Sequence, residues 1–244
     1  MLPAIHGTKS LIEAAKTEPR IKRIVLLSTF GAVIDLTQGF RPGYTYTGAD
    51  WNPITYEQGK AASVPLVSYC AGKTIAERAA WACIEKERPH FDLVAFCAPM
   101  VLGPVVHPIA RVASLNESNI EMWDAITGPG EEILMPDGPA QVDVRDFAVA
   151  CVEALMREEV GNRRYTIAAP GVFTFQMAAD IARRKLEWAK DVVKKGKEGE
   201  PVPNVFTVDG TQVTKDLGVI FTPVEETVID TLNQIREIQL RESQ

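Results

Sequence analysis

Two short apolar runs, one at Ile24-Val-Leu-Leu27 and one within residues 91–97, restrict the architectures open to this chain. Both are continuous rather than alternating, so each reads as a strand covered on both faces; the first starts at about Ile21. A helical segment precedes each. Residues 3–17 place Ile5, Leu11, Ile12, Ala14 and Ala15 at helical spacing, and residues 67–88 form a longer helical run. Helices alternating with buried strands imply a parallel sheet joined by right-handed crossovers.

The rest of the chain is less regular. Residues 30–66 hold Gly, Pro, Thr and Asp at short intervals and read mostly as loop, shaping a pocket rim. Residues 105–140 are loop-rich, with one short helix expected near Glu121–Thr127. Val142–Val144 then Asp146–Met156 reads as strand, cap and helix, with Asp146 as the N-cap or first-turn acid. Arg164–Ala168 and Val205–Val208 read as strands. Thr174–Leu186, Thr214–Leu217 and Pro223–Arg241 read as helical.

Composition removes several function classes. The 244 residues carry 26 basic and 32 acidic side chains, a net charge of −6, which argues against a nucleic-acid partner. No run approaches the ~20 apolar residues of a membrane span, and the first residues lack the basic start and apolar centre of a secretory signal. Cys70, Cys83, Cys97 and Cys151 are scattered without a Cys-x-x-Cys pair, as expected of reduced cytoplasmic thiols. His6, His90 and His107 are too dispersed for a metal site.

The chemistry concentrates at Tyr69-Cys-Ala-Gly-Lys73, where Tyr and Lys stand one helical turn apart. A phenol is a sluggish acid near neutrality, and a neighbouring ammonium favours its ionised form. Upstream, the first strand ends in Ser28-Thr29. Downstream, the second runs into Pro99-Met-Val-Leu-Gly-Pro104. Ile21-Lys-Arg-Ile-Val25, Ala49-Asp-Trp-Asn-Pro53, Tyr69 to Trp81, Ser114–Asn119, Asp143-Val-Arg-Asp146 and Lys215-Asp-Leu-Gly218 complete a linked set of motifs.

In that order the motifs resemble the extended short-chain dehydrogenase/reductases of the NAD-dependent epimerase/dehydratase superfamily, specifically the dihydroflavonol-reductase and carbonyl-reductase (ketoreductase) branch. The resemblance runs from Pro3 almost to the C-terminus. It implies an α/β fold: the C-terminal part of a Rossmann-like doubly wound parallel sheet (1–104 with 141–170), plus a smaller α/β substrate-binding lobe (105–140 with 171–244). It also implies an NAD(P)H-dependent reduction of a ketone or aldehyde to an alcohol. Tyr69 would be the acid/base, Lys73 would tune it and hold the nicotinamide ribose, and Thr29 would orient the substrate oxygen. The backbone around Pro99 and Val101 would hold the carboxamide. NADP is the expected cofactor, with NAD open.

The resemblance is incomplete at its start. No Gly-x-x-Gly-x-x-Gly or Gly-x-Gly-x-x-Gly occurs. The chain begins at what resembles the family's fourth crossover helix, and His6 stands where relatives carry Asn. The strand at Ile21–Leu27 should therefore have a bare edge that pairs with another chain or aggregates, and NADPH should bind without measurable affinity. Two alternatives stay open: a catalytically incompetent homologue with a binding or scaffold role, and a sugar-nucleotide epimerase or dehydratase. The second is weakened because Arg111 is the lone basic residue of 104–140. Expected partners are a small carbonyl substrate and, through helices 3–17 and 67–88, a second copy of the chain. Met100, Met122, Trp123 and Met135 read equally as pocket lining or as packing.

Overall fold

The computed structural model describes residues 1–243. Helix α1 (Leu2–Lys16) opens with Pro3 in its first turn, where a missing N–H costs nothing. Strand β1 (Arg23–Thr29), the two-residue β2 (Thr45–Tyr46), the short α2 (Tyr56–Ala61) and the long α3 (Pro65–Glu87) follow. Then come β3 (Asp92–Ala98), β4 (Met100–Leu102), α4 (Glu117–Thr127), β5 (Gln141–Asp143) and α5 (Val144–Met156). The order ends with β6 (Arg163–Thr166), α6 (Phe175–Lys185), β7 (Thr207–Val208), α7 (Thr211–Leu217) and α8 (Val224–Glu242).

The sheet predicted from the apolar runs is present: β1, β3 and β6 lie parallel in that order. Arg23 stands opposite Asp92, Thr29 opposite Ala98, and Val94 opposite Arg163. Central β3 is buried from Leu93 to Ala98. Burying a side chain such as Leu93 or Phe96 contributes about 1.5–3 kcal/mol. Alternation along the strands sorts the two faces. Ile24, Leu26 and Leu93 pack under Ile12 and Ala15 of α1 and Ala80 of α3. Val25, Val94 and Phe96 pack under Ala150 and Ala154 of α5 and Val213 and Leu217 of α7. β1 pairs with β3 alone among the described residues, so its other edge is bare and Leu27 is exposed.

A second core joins α4, α6 and α8 through Met122, Trp123, Ile126, Phe175, Ile181, Val228, Leu232 and Ile235. A third, smaller cluster ties the segment after β1 to β7. There Phe30, Tyr46 and Phe206 meet with ring centroids 5.1–5.6 Å apart.

The stretch 30–66 is mostly loop, as expected, although it also holds β2, paired in parallel with β7, and α2. α2 starts on a capping box in which the Thr55 hydroxyl accepts from the Gln58 amide and the Gln58 side chain accepts from the Thr55 amide. The expected N-cap of α5 needs correction: it is Asp143, whose carboxylate accepts from the Arg145 amide at 2.8 Å. Asp146 lies in the first turn, and its buried carboxylate accepts from the amide and hydroxyl of Thr222. No helix among the described residues is long and apolar enough to cross a membrane.

Candidate active site

Open parallel sheets bind ligands outside the carboxyl ends of their strands. A cleft of about 560 Å³ lies there, beyond β1 and β3. Thr29, the last residue of β1, lines it beside Tyr69 and Cys70 of α3, and Pro99 and Met100 form another wall. Phe30, Ile34, Leu36 and Leu66 make much of the remaining surface apolar.

Gly31 brings the two candidate reacting groups together. A Cβ built on it would meet Thr29 Cγ2 at 3.4 Å and Tyr69 Cε1 at 3.5 Å, so both side chains flank one point of backbone. It would also press on Cys70 Sγ at 2.9 Å. The Thr29 hydroxyl oxygen accepts from the Gly31 amide at 3.2 Å, which leaves its hydrogen free to donate. Ser28 is committed elsewhere, since its hydroxyl donates to Glu77 at 2.5 Å. Of the two hydroxyls at the strand end, only Thr29 faces the cleft.

Tyr69 is 51% exposed and its phenol has no hydrogen-bond partner among the described residues. Lys73 stands one turn along α3. Its ammonium donates to the Leu27 carbonyl at 3.2 Å, and its side chain is not part of the cleft wall. The site residues therefore divide. Thr29, Tyr69 and Pro99 share the cleft, Lys73 lies behind it, and the half-buried Val101 packs into the sheet core. Met100 lines the cleft, Met122 and Trp123 are core, and Met135 belongs to a separate pocket with Gln176 and Pro203.

A buried anchor beneath this site left almost no mark in the local sequence. Glu77, two turns along α3 from Tyr69, has a side chain only 1% exposed. Its carboxylate accepts from Ser28 Oγ, from Trp81 Nε1 at 3.1 Å and from Arg164 Nε at 2.6 Å. Arg164 also donates to the carbonyls of Gly48, Asp50 and Ala32 and stacks over Trp51 at 3.7 Å. Asn52 completes the tie by donating to the Gly31 carbonyl at 2.8 Å. The end of β1, the body of α3, the start of β6 and the 30–52 segment thus share one ion pair. A lone Glu within Ala76-Glu77-Arg78-Ala79-Ala80 was the available signal.

The cleft is acidic. Glu117, Glu121 and Asp137 line it, and no Lys, Arg or His does. Burial raises the pKa of Glu121, and the charges of Asp137 and Glu117 add to the rise. Burial, with Asp137, pushes the Cys70 thiol to about 11, so it stays protonated and is no nucleophile near neutrality.

No family model matches this chain. It is 35% identical over 235 residues to an uncharacterised oxidoreductase of Schizosaccharomyces pombe, covering 96% of this chain and 69% of that protein. It is 30% identical over 250 residues to the NADPH-dependent methylglyoxal reductase GRE2 of Saccharomyces cerevisiae, covering 99% and 72%. The chain belongs to the extended short-chain dehydrogenase/reductases. The crystal structure of yeast methylglyoxal/isovaleraldehyde reductase Gre2 complexed with NADPH superposes on this short-chain reductase with a TM-score of 0.87 at 28% identity, covering 99% of this chain and 72% of that one. The Rossmann-type α/β fold expected from the motifs is thereby established.

The family implies a nicotinamide dinucleotide. Its nicotinamide end fits the residues present: an open cleft at the strand ends, an unpartnered phenol and a free hydroxyl donor. Among the described residues no strand leads through a glycine-rich turn into a helix, the element that cradles a diphosphate.

Proposed function

We propose that this chain carries the catalytic part of an NADPH-dependent carbonyl reductase acting on small ketones or aldehydes. The single observation that supports it is the meeting of Tyr69 and Thr29 around Gly31 on one cleft at the carboxyl ends of β1 and β3. A carbonyl oxygen placed there receives two donors. Thr29 orients it through the hydroxyl hydrogen that its cap to Gly31 leaves available, and Tyr69 delivers the proton as the alcohol forms. Lys73, one turn along α3, is the residue that would hold the nicotinamide ribose, after its ammonium leaves the Leu27 carbonyl. Backbone near Pro99 and Val101 would hold the carboxamide of a nicotinamide cofactor, which when bound would supply the hydride.

Residues 1–104 with 141–170 would form the cofactor side, and 105–140 with much of 171–244 the substrate side, although β7 and α7 pack with the first group, against β2 and under the central sheet. Scattered free cysteines suit a cytoplasmic setting. Ketone-dependent NADPH oxidation tests the reading, with Tyr69→Phe as control. Turnover that falls by about 10²-fold or more in the variant supports it, and turnover unchanged by the substitution overturns it.

A further inference from the structure

We propose that the cleft is selective by charge: it admits uncharged or cationic carbonyl compounds and rejects oxo acids, with Glu117, Glu121 and Asp137 as the discriminating residues. This rests on the reading of the cleft as a carbonyl site and narrows the substrate class within it.

The three carboxylates come from α4 and the turn at 136–138, whereas the candidate reacting groups come from β1 and α3. Elsewhere many acids on the surface are paired. Glu13 and Glu87 share Lys16, Glu153 meets Arg157, and Glu225 meets both Arg184 and Lys185. The three cleft carboxylates make no ion pair and no side-chain hydrogen bond among the described residues. No basic side chain lines the cleft to offset them. The three carboxylates lie on exposed residues at the cleft, so their field is screened by water and salt and acts most strongly at low ionic strength. The direction of the Glu121 shift agrees, because part of its cause is the charge of the other two.

A carboxylate entering this space would meet like charge with no partner, so rejection needs no steric barrier. A neutral ketone loses nothing, and its hydrocarbon body is buried against the apolar wall. An ammonium group gains from the same field. Carbonyl compounds with a carboxylate next to the reacting carbon are therefore excluded, and neutral aldehydes, diketones and amino ketones are admitted.

The test uses three matched probes with the purified chain: 4-acetylbenzamide, 4-acetylbenzoate and 4-(aminomethyl)acetophenone. Dissociation constants are measured by ligand-observed NMR near neutral pH and low salt, without cofactor. The benzoate is expected to bind about tenfold more weakly than the benzamide, and the ammonium probe at least as tightly. In Glu121→Gln with Asp137→Asn, the benzoate should come within about twofold of the benzamide. Benzoate binding equal to that of the benzamide in the unaltered chain overturns the proposal. So does a preference that survives the double substitution, or failure of all three probes to bind. The charge ranking without any turnover would sink the reductase reading alone. Reduction of the benzoate as fast as the benzamide would sink the charge inference alone.

Discussion

The first turns of α3 and its middle are built on opposite principles. Near its start, Tyr69 is exposed, its phenol is unpartnered and the surrounding surface is cleft. Eight residues later, about 12 Å along the axis at 1.5 Å per residue, Glu77 is buried and holds Ser28, Trp81 and Arg164. The first region holds groups free to meet a ligand. The second holds an ion pair whose loss would leave a charge stranded in the interior. The same helix therefore separates reactivity from rigidity, and substitutions in the exposed and the buried region should differ in kind.

The largest effect is expected in the buried region. Glu77→Ala strands Arg164 and should cost about 3–5 kcal/mol, read by urea unfolding. The double change Glu77→Leu with Arg164→Met should cost much less than the two single changes summed, since apolar replacement removes both charges at once. An additive double variant would break the comparison by showing that the two do not act as a pair.

Gly31 lies against Tyr69 and Cys70 and should respond next. Gly31→Ala forces a methyl against Cys70 Sγ and beside the Tyr69 ring, costing about 1–3 kcal/mol. Adding Cys70→Ala should recover most of that in the same unfolding assay. Persistence of the full cost would place the strain elsewhere.

A smaller change is expected with acid. Burial raises the pKa of Asp143, but the Arg145 guanidinium, the Thr227 hydroxyl and the Arg145 amide outweigh it and leave a net lowering. Asp216 is likewise lowered on balance, its burial outweighed by Gln212, Tyr165 and Arg163. A carboxyl held below its unfolded pKa stabilises the fold above that value, about 3.9, and loses the contribution as pH falls through the folded one. Stability should therefore decline below about pH 4, and Asp143→Asn should flatten part of that slope in thermal melts.

The smallest effect on folding belongs to the exposed region. Tyr69→Phe should change stability by no more than about 0.5 kcal/mol while it removes carbonyl reduction. A large loss of stability would show that the phenol is structural after all.

Much of this architecture was legible in the sequence, for definite reasons. α1, α3 and α8 carry apolar spacings over several turns, and β1 and β3 are short continuous apolar runs, so local pattern and burial agree. Elements that depend on distant partners were not legible. β2 exists because Thr45 and Tyr46 pair with Thr207 and Val208, and α2 is six residues held by a cap and by Ser68 donating to the Gly59 carbonyl. Asp146 was a sound guess at a cap by residue type, yet Asp143 reaches the free amide. Of the candidate site residues, Thr29 and Tyr69 meet at one cleft, whereas Lys73 does not line it. The pairing of Glu77 with Arg164, 87 residues on, and the arrival of Glu121 and Asp137 at one wall depend on the fold and left no local signature.

The bare edge of β1 has a consequence for motion. Thr29 stands on a strand supported laterally from one side, whereas Tyr69 stands on a helix fixed at its middle by Glu77. Opening of a strand margin takes less free energy than opening of the strand at the centre of a sheet. Amide hydrogens of β1 should therefore exchange with solvent sooner than those of β3. Fluctuation in the distance between the Thr29 hydroxyl and the Tyr69 phenol should then arise mostly from the threonine.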